Sequence, residues 1–88
     1  MGDERDARLT ELTVYSRDGC HLCDEMIAGL HVLQARFRFH VRVIDVDRDP
    51  ALTLRYGNDV PVLEHGAREL CRHRLDTALL TDYLMEIG

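Results

Sequence analysis

The sequence contains no lysine, because all eleven basic residues are arginine. A Schiff-base lysine and the lysine of a phosphate-binding loop are therefore excluded. Long apolar runs are missing as well, and no stretch approaches the roughly 18 apolar residues of a membrane span. The first residues, Met1-Gly-Asp-Glu-Arg-Asp6, have neither the basic start nor the apolar core of a signal peptide. We therefore expect a cytoplasmic protein without a membrane partner.

Positive charge is in short supply, since the formal net charge is -5. An acidic domain repels phosphate backbones, so we expect no nucleic-acid partner. Only two residues are proline, and a chain that is 45% hydrophobic and 31% charged is typical of a packed domain rather than a disordered segment. Its 88 residues suit one domain and leave few apolar positions for a deep cavity. We expect a monomer with no bound cofactor.

The number of cysteines is odd. Three cysteines cannot pair completely, which argues against a structural disulfide framework. In a reducing cytoplasm, thiols are more often catalytic, metal-bound or inert. The roles of Cys20, Cys23 and Cys71 therefore decide the interpretation of the chain.

Hydrophobic periodicity predicts the element order β-α-β-α-β-β-α, which is an α/β fold with a four-stranded mixed sheet and helices on both faces. Residues 1–8 are almost wholly charged or small, so we expect a flexible tail followed by a single domain over 9–88. The predicted elements are a strand from near Leu9 to Tyr15, a helix from about Cys20 to Ala35, a strand through Phe39, Val41 and Val43, a short helix over 50–56 between Asp49 and Gly57, strands Val60–Leu63 and Ala67–Cys71 around the turn Glu64–Gly66, and a helix capped by Asp76.

The pattern that carries chemistry is Cys20-His-Leu-Cys23, at the junction of the first strand and the first helix. Unpaired amide groups and the positive end of the helix dipole favour the thiolate of the first cysteine. We expect Cys20 to act as nucleophile, and Cys23, one helical turn later, to resolve a mixed disulfide on Cys20. His21 lies beside the nucleophile, where an imidazole would stabilise the thiolate.

Half of a zinc site has the same C-x-x-C spacing, so zinc is an alternative. A tetrahedral site needs two further ligands, and Cys71 and His73 are the candidates. These two residues are separated by a single position on a predicted strand, which is unlike the usual second ligand pair. We therefore predict a redox pair and no metal site.

The segment Tyr15-Ser-Arg-Asp-Gly-Cys-His-Leu-Cys23, the element order and Asp59-Val-Pro61 resemble a glutaredoxin-like member of the thioredoxin superfamily. The resemblance is narrower to a small C-H-L-C group of largely unassigned role. It implies a thioredoxin-like fold in which Pro61 is cis and faces the active-site sulfurs, so that the backbone of Val60 can receive an extended substrate. It also implies that Arg17 stabilises the thiolate or binds the glutathione carboxylate.

The sequence departs from the family where glutathione-dependent members carry a glycine pair followed by acidic residues. Here the segment reads Cys71-Arg-His-Arg-Leu-Asp76, with bulky side chains in place of the glycines. A conventional glutathione site is therefore not expected, although a glutathione-coupled glutaredoxin remains the second candidate.

We accordingly expect a thiol-disulfide oxidoreductase that uses the Cys20/Cys23 couple on protein or small disulfides and is recycled by a cellular thiol reductant. A third candidate belongs to another class: a non-catalytic thioredoxin-fold binding module whose cysteines bind metal or tolerate oxidation. The sequence does not indicate the physiological substrate or the electron donor.

Overall fold

The computed structural model of the protein describes residues 10–87. The tail predicted over residues 1–8 lies outside this range. Four strands and three helices follow the predicted order, with one additional 3-10 turn at Val46–Arg48. The bounds are β1 Glu11–Ser16, α1 His21–Leu33, β2 His40–Asp45, α2 Pro50–Tyr56, β3 Val62–His65, β4 Arg68–Arg72 and α3 Thr77–Ile87.

The strands form one mixed sheet in the order β2-β1-β3-β4. β1 runs parallel to β2, with Val14 opposite Val43, and antiparallel to β3, with Tyr15 opposite Val62. β3 and β4 form an antiparallel hairpin. β1 lies inside the sheet, with β2 on one side and β3 on the other. The loop that follows β1 therefore emerges between these two strands. The predicted mixed sheet is confirmed.

Two apolar clusters lie on opposite faces of the sheet, because successive side chains of a strand point to opposite sides. Leu12, Val14 and Leu63 face the larger cluster, in which buried residues of α1 and α3 pack. Tyr15 and Val62 face the smaller one, which the 3-10 turn and α2 complete. The larger cluster contains Leu12, Val14, Met26, Leu30, Leu33, Phe39, Leu63, Leu70, Cys71, Leu80 and Leu84, and the smaller contains Val46, Tyr56 and Val62.

The smaller cluster encloses a polar pair. Tyr56 and Glu64 are only 6% and 7% exposed, and the Tyr56 hydroxyl donates a 2.8 Å hydrogen bond to Oε2 of Glu64. Tyr15 stacks on Tyr56 with ring centroids 4.0 Å apart. Burial, followed by the hydrogen bond to Glu64, raises the pKa of Tyr56 above its usual range. Glu64 is thereby accommodated as a partnered group within an apolar layer.

Side-chain caps start the helices where the sequence predicts. The Asp49 carboxylate accepts from the Ala51 amide, and Pro50 occupies the first turn of α2, where its missing amide is not needed. Gly57 ends α2, as predicted, but with an ordinary helical φ of -54°. Its glycine is required by a close approach, because a Cβ there would lie 2.5 Å from the Thr53 carbonyl oxygen.

The hairpin differs from the prediction by two residues. Glu64 and His65 belong to β3, and the turn is formed at Gly66, whose φ of 63° is the left-handed value that glycine tolerates. Val60 and Pro61 precede β3 instead of starting it. Val43, which lies in the predicted second strand, is 50% exposed, because β2 is an edge strand with a neighbour on one side only. No helix within residues 10–87 is long and apolar enough to cross a membrane.

Candidate redox site

The two cysteines of the C-H-L-C motif meet at the start of α1. Gly19, at φ 72°, turns the chain out of the β1 loop, and Cys20 then adopts an extended conformation as the N-cap of the helix. Its sulfur accepts a hydrogen bond from the Cys23 amide at 3.1 Å, and its carbonyl accepts one from the Asp24 amide at 3.2 Å. Cys20 and Cys23 are joined as a disulfide, with their Cα atoms 5.2 Å apart.

The two sulfur-bearing residues differ in accessibility. Cys20 is half-buried at the helix start, whereas Cys23 is fully buried against the helix. An incoming disulfide can therefore reach Cys20, while Cys23 can be reached only by a sulfur already attached to Cys20. This asymmetry suits an attacking and a resolving thiol. The helix amide that points at the Cys20 sulfur is also a donor that favours its thiolate.

The Val60-Pro61 peptide bond is cis, as the resemblance implied. Because Tyr15 pairs with Val62, the residues before β3 run past the end of β1, toward the loop that leads into Cys20. Within the described part of the chain, neither the amide nor the carbonyl of Val60 bonds to another backbone group. This leaves Val60 as the backbone position at which an extended segment could add, and its role in substrate binding stays a prediction.

The segment before β3 is tied to the end of β4. The His73 amide donates a 2.7 Å hydrogen bond to the Pro61 carbonyl, and His73 adopts a φ of 69°, which is uncommon for a non-glycine residue. The Asp59 carboxylate lies 3.3 Å from Nη1 of Arg72 and 3.6 Å from Nε2 of His73. Arg72 also donates two hydrogen bonds to Glu69. These contacts connect the segment before β3 with the end of β4 and the segment that follows it.

Arg17 is directed away from the motif. Its Nε and Nη2 donate to the two carboxylate oxygens of Asp47 at 3.1 and 2.7 Å, and its Nη1 donates to the Gly57 carbonyl at 2.9 Å. The guanidinium holds the pKa of Asp47 below its usual range, chiefly through the hydrogen bonds. None of these three bonds reaches Cys20. Arg17 therefore fastens the β1 loop to the layer formed by the 3-10 turn and α2, and its predicted role at the thiolate is untested.

His21 occupies the first position of α1, where its side chain is 88% exposed. Its Nε2 lies 3.4 Å from Oε2 of Glu25, one turn further along the helix. The described contact of the imidazole is thus with a carboxylate and not with the sulfur of Cys20. Its predicted action on the thiolate remains a prediction.

Cys71 lies in β4, pairs with Leu63 and is buried in the larger apolar cluster. Burial raises the pKa of its thiol above the usual value, which disfavours the reactive thiolate. Across residues 10–87, no three or more histidine, cysteine, aspartate or glutamate side chains come together as metal ligands.

The sequence interpretation missed a cleft of about 280 Å³ that opens beside the motif. Its walls are α1 and the connection between β4 and α3. Leu75 packs closely against Gly29 in its lining, where a Cβ would lie 2.7 Å from the Leu75 side chain. The glycine in the middle of a predicted helix is the signal that could have indicated this close contact. The cleft is lined by Leu22, Glu25, Met26, Gly29, His73, Arg74, Leu75 and Thr77.

A comparison with known protein families identifies the family of this chain. Residues 11–85 match the family Glutaredoxin-like domain (DUF836). The chain belongs to this family. The glutaredoxin-like protein shares 46% sequence identity with protein Ne2328 from Nitrosomonas europaea, whose solution structure it matches with a TM-score of 0.76 over 84% of this chain and 89% of that one. It shares 36% identity with structural genomics target XcR50 from X. campestris, with a TM-score of 0.69 over 85% of this chain and 96% of that one.

A solved structure of lower sequence identity shows the fold of this chain. The thioredoxin Deadhead from Drosophila melanogaster superposes with a TM-score of 0.59 at 23% identity, covering 99% of this chain and 90% of that one. A comparison with curated proteins found no match. The predicted glutaredoxin-like family and thioredoxin-like α/β fold are thus confirmed, and such a fold with a close Cys20-Cys23 pair fits a redox role.

Proposed function

We propose that this glutaredoxin-like protein is a thiol-disulfide oxidoreductase whose redox couple is Cys20 and Cys23. The observation that carries the proposal is the pairing of a half-buried N-cap cysteine with a fully buried cysteine three residues later, in disulfide contact. The disulfide closes only a very small loop and so restricts few conformations of the unfolded chain. Reversible redox chemistry is the better use of such a bond.

The reaction begins from the reduced dithiol. The Cys20 thiolate attacks one sulfur of a substrate disulfide, forming a mixed disulfide and releasing the other substrate sulfur as a thiolate. Deprotonated Cys23 then attacks the Cys20 sulfur, which releases the second substrate thiolate and leaves the Cys20-Cys23 disulfide. The substrate gains two electrons, and a cellular thiol reductant returns two electrons to the protein.

Three features support this sequence of steps. The Cys23 amide donates to the Cys20 sulfur, which stabilises negative charge there. The burial of Cys23 restricts its reaction to the adjacent sulfur. The free backbone groups of Val60 next to the cis bond offer a substrate strand two hydrogen bonds.

We propose disulfide-bearing proteins as partners, a monomeric state and a cytoplasmic location.

The test is reduction of insulin or of a peptide disulfide by the dithiothreitol-reduced protein, followed by quantification of thiols. Cys20→Ser is expected to abolish the reaction, and Cys23→Ser to stop it at a mixed disulfide that mass spectrometry detects. Cys71→Ser is the matched control and retains the activity. Equal loss in all three variants, or no mixed disulfide on Cys23→Ser, would contradict the proposal.

Two further measurements separate the remaining candidates. Faster turnover of a glutathione mixed disulfide than of peptide disulfides would favour a glutathione-coupled glutaredoxin. One equivalent of zinc bound by the reduced protein, together with absent disulfide reduction, would favour a metal-binding module.

A further inference from the structure

Arg74 carries an uncompensated positive charge at the cleft beside the motif. Its side chain is exposed and lines the cleft with Leu22, the residue between His21 and Cys23. Within residues 10–87, its guanidinium makes no hydrogen bond, no salt bridge and no contact with an aromatic ring. The protein as a whole has a net charge of -5.

The other cations around the motif have partners. Arg17 is bonded to Asp47 and Gly57, and Arg72 to Glu69 with Asp59 nearby. Two imidazoles near the motif also lie beside carboxylates, His73 beside Asp59 and His21 beside Glu25, which is the acidic residue that lines the cleft. Arg74 is thus the cation left to meet an anion from outside.

The backbone of Arg74 is fixed although its side chain is free. The Arg74 amide donates to the Arg72 carbonyl at 2.7 Å, and the preceding amide of His73 is held by Pro61. The following residue, Leu75, is seated against Gly29. A short distance on, Asp76 caps α3 through the Leu79 amide at 3.0 Å. An anion that meets Arg74 therefore needs to order only one side chain, which lowers the entropic cost of the contact.

The rest of the cleft determines what kind of anion fits. Leu22 and Leu75, which are partly exposed, present apolar surface, while Arg74 supplies the charge. A carboxylate side chain on a peptide, with an aliphatic neighbour, complements both. Phosphate would also pair with the charge of Arg74, but it has no apolar group that could contact the leucine side chains of the cleft.

We propose that Arg74 selects substrate disulfides in protein segments that carry aspartate or glutamate beside the reacting cysteine. This inference rests on the proposed function and names its substrate class. Arg74 acts as a specificity-determining residue: its guanidinium pairs with the substrate carboxylate while Cys20 forms the mixed disulfide, and it takes no part in the transfer of electrons.

The test measures the exchange step alone. Peptides that differ only in glutamate, glutamine or lysine beside a single cysteine are activated as mixed disulfides with thionitrobenzoate. Cys20 of the reduced Cys23→Ser variant attacks the peptide sulfur, and the coloured thionitrobenzoate leaves. We expect the glutamate peptide to react about three- to five-fold faster than the glutamine peptide, the size of an exposed ion pair at low salt, with the preference falling as salt is added.

Adding Arg74→Gln is expected to bring this ratio to about one, whereas Arg74→Lys retains most of it. Arg42→Gln removes the same charge on the far edge strand, β2, and keeps the full preference. A glutamate preference that survives Arg74→Gln, or none in the parent, overturns the inference. So does a larger effect of Arg74→Gln on the glutathione-thionitrobenzoate disulfide, which would assign the residue to glutathione. Because any accessible thiol exchanges with these reagents, the ratio is measurable even if the protein fails to turn over disulfides.

Discussion

The amide of His73 donates a 2.7 Å hydrogen bond to the carbonyl of Pro61. This bond joins the segment before β3 to the segment after β4, and Asp59 strengthens the connection by facing both Arg72 and His73. The two segments that border Cys20 are therefore fastened to each other as well as to the sheet. The same bond also removes a backbone donor that a ligand could otherwise use.

Glutathione is expected to bind weakly. The chain lacks the glycine pair of the glutathione-dependent members that it resembles, and the amides of His73 and Arg74 at this place already donate to Pro61 and Arg72. Isothermal titration of the fully reduced protein with reduced glutathione, two thiol forms that do not exchange, should give no saturation in the micromolar range. Tight, saturable binding would show that the arginines replace the missing backbone contacts.

Cys20 of the reduced protein is expected to react before both Cys23 and Cys71. Cys20 is half-buried and receives an amide hydrogen bond, Cys23 is fully buried next to it, and burial raises the pKa of Cys71. Timed alkylation with iodoacetamide and peptide mass mapping should place at least about tenfold between the first and the last rate. Labelling of Cys71 before Cys20 would contradict the assigned roles.

Arg17→Gln is expected to lower stability without slowing the alkylation of Cys20. The substitution removes the paired bonds to Asp47 and the bond to the carbonyl of Gly57, the C-cap of α2. Because Arg17 lowers the pKa of Asp47 in the folded state, its stabilising effect is fully present above the unfolded pKa near 4 and is lost as the pH falls through the folded value.

Urea unfolding of both proteins at pH 7 and pH 3 measures this difference, which should shrink at the lower pH. Arg48→Gln is a matched control in the adjacent 3-10 turn. A slower alkylation of Cys20 in Arg17→Gln, with unfolding unchanged, would instead support the thiolate role that the resemblance implied.

Tyr56→Phe is expected to cost about 1–3 kcal/mol of the free energy of unfolding, because it leaves the buried carboxyl group of Glu64 without its hydroxyl donor. Tyr83→Phe, which removes a hydroxyl bonded to the half-buried His65, is the control and should cost less. The double variant with Glu64→Gln measures the coupling between the two groups. Equal losses of unfolding free energy in Tyr56→Phe and Tyr83→Phe would contradict a particular stabilising role for the buried hydrogen bond between Tyr56 and Glu64.

The same pair predicts a loss of stability in alkali. The pKa of Tyr56 is raised in the folded protein, so its contribution is fully present below the unfolded value near 10 and is lost as the pH rises from there toward the folded value. The free energy of unfolding should therefore fall more steeply between pH 10 and 11 in the parent than in Tyr56→Phe.

Local signals in the sequence were sufficient for the element order and for the position of Cys20 and Cys23 at the start of α1. Asp49-Pro50 marks the start of α2, and the period change after Gly19 places Cys20 at the first turn of α1. The cis bond at Pro61 followed from the family resemblance, since local sequence alone favours trans.

Contacts between residues distant in the chain could not be predicted in this way. The partner of Arg17 lies thirty positions away at Asp47, and it becomes a neighbour only once β1 and β2 pair in parallel. Glu64 reads as a turn residue because it is charged, but the hydroxyl of Tyr56 makes its burial in β3 acceptable. The cleft at Arg74 depends on helix packing across Gly29, which periodicity does not describe.

The Val60-Pro61 segment is anchored in both layers of the protein. The side chain of Val60 packs in the smaller cluster beneath α2, while the carbonyl of Pro61 is held from the end of β4. The disulfide, by contrast, depends on α1 and the larger cluster. On warming, the side of the sheet that holds the smaller cluster should unfold locally first. The proposed recognition of protein substrates at Val60 would then fail, while Cys20 would still react with small reagents. Under the proposed function, heating would therefore abolish the selectivity for protein disulfides before it abolishes the reactivity of Cys20.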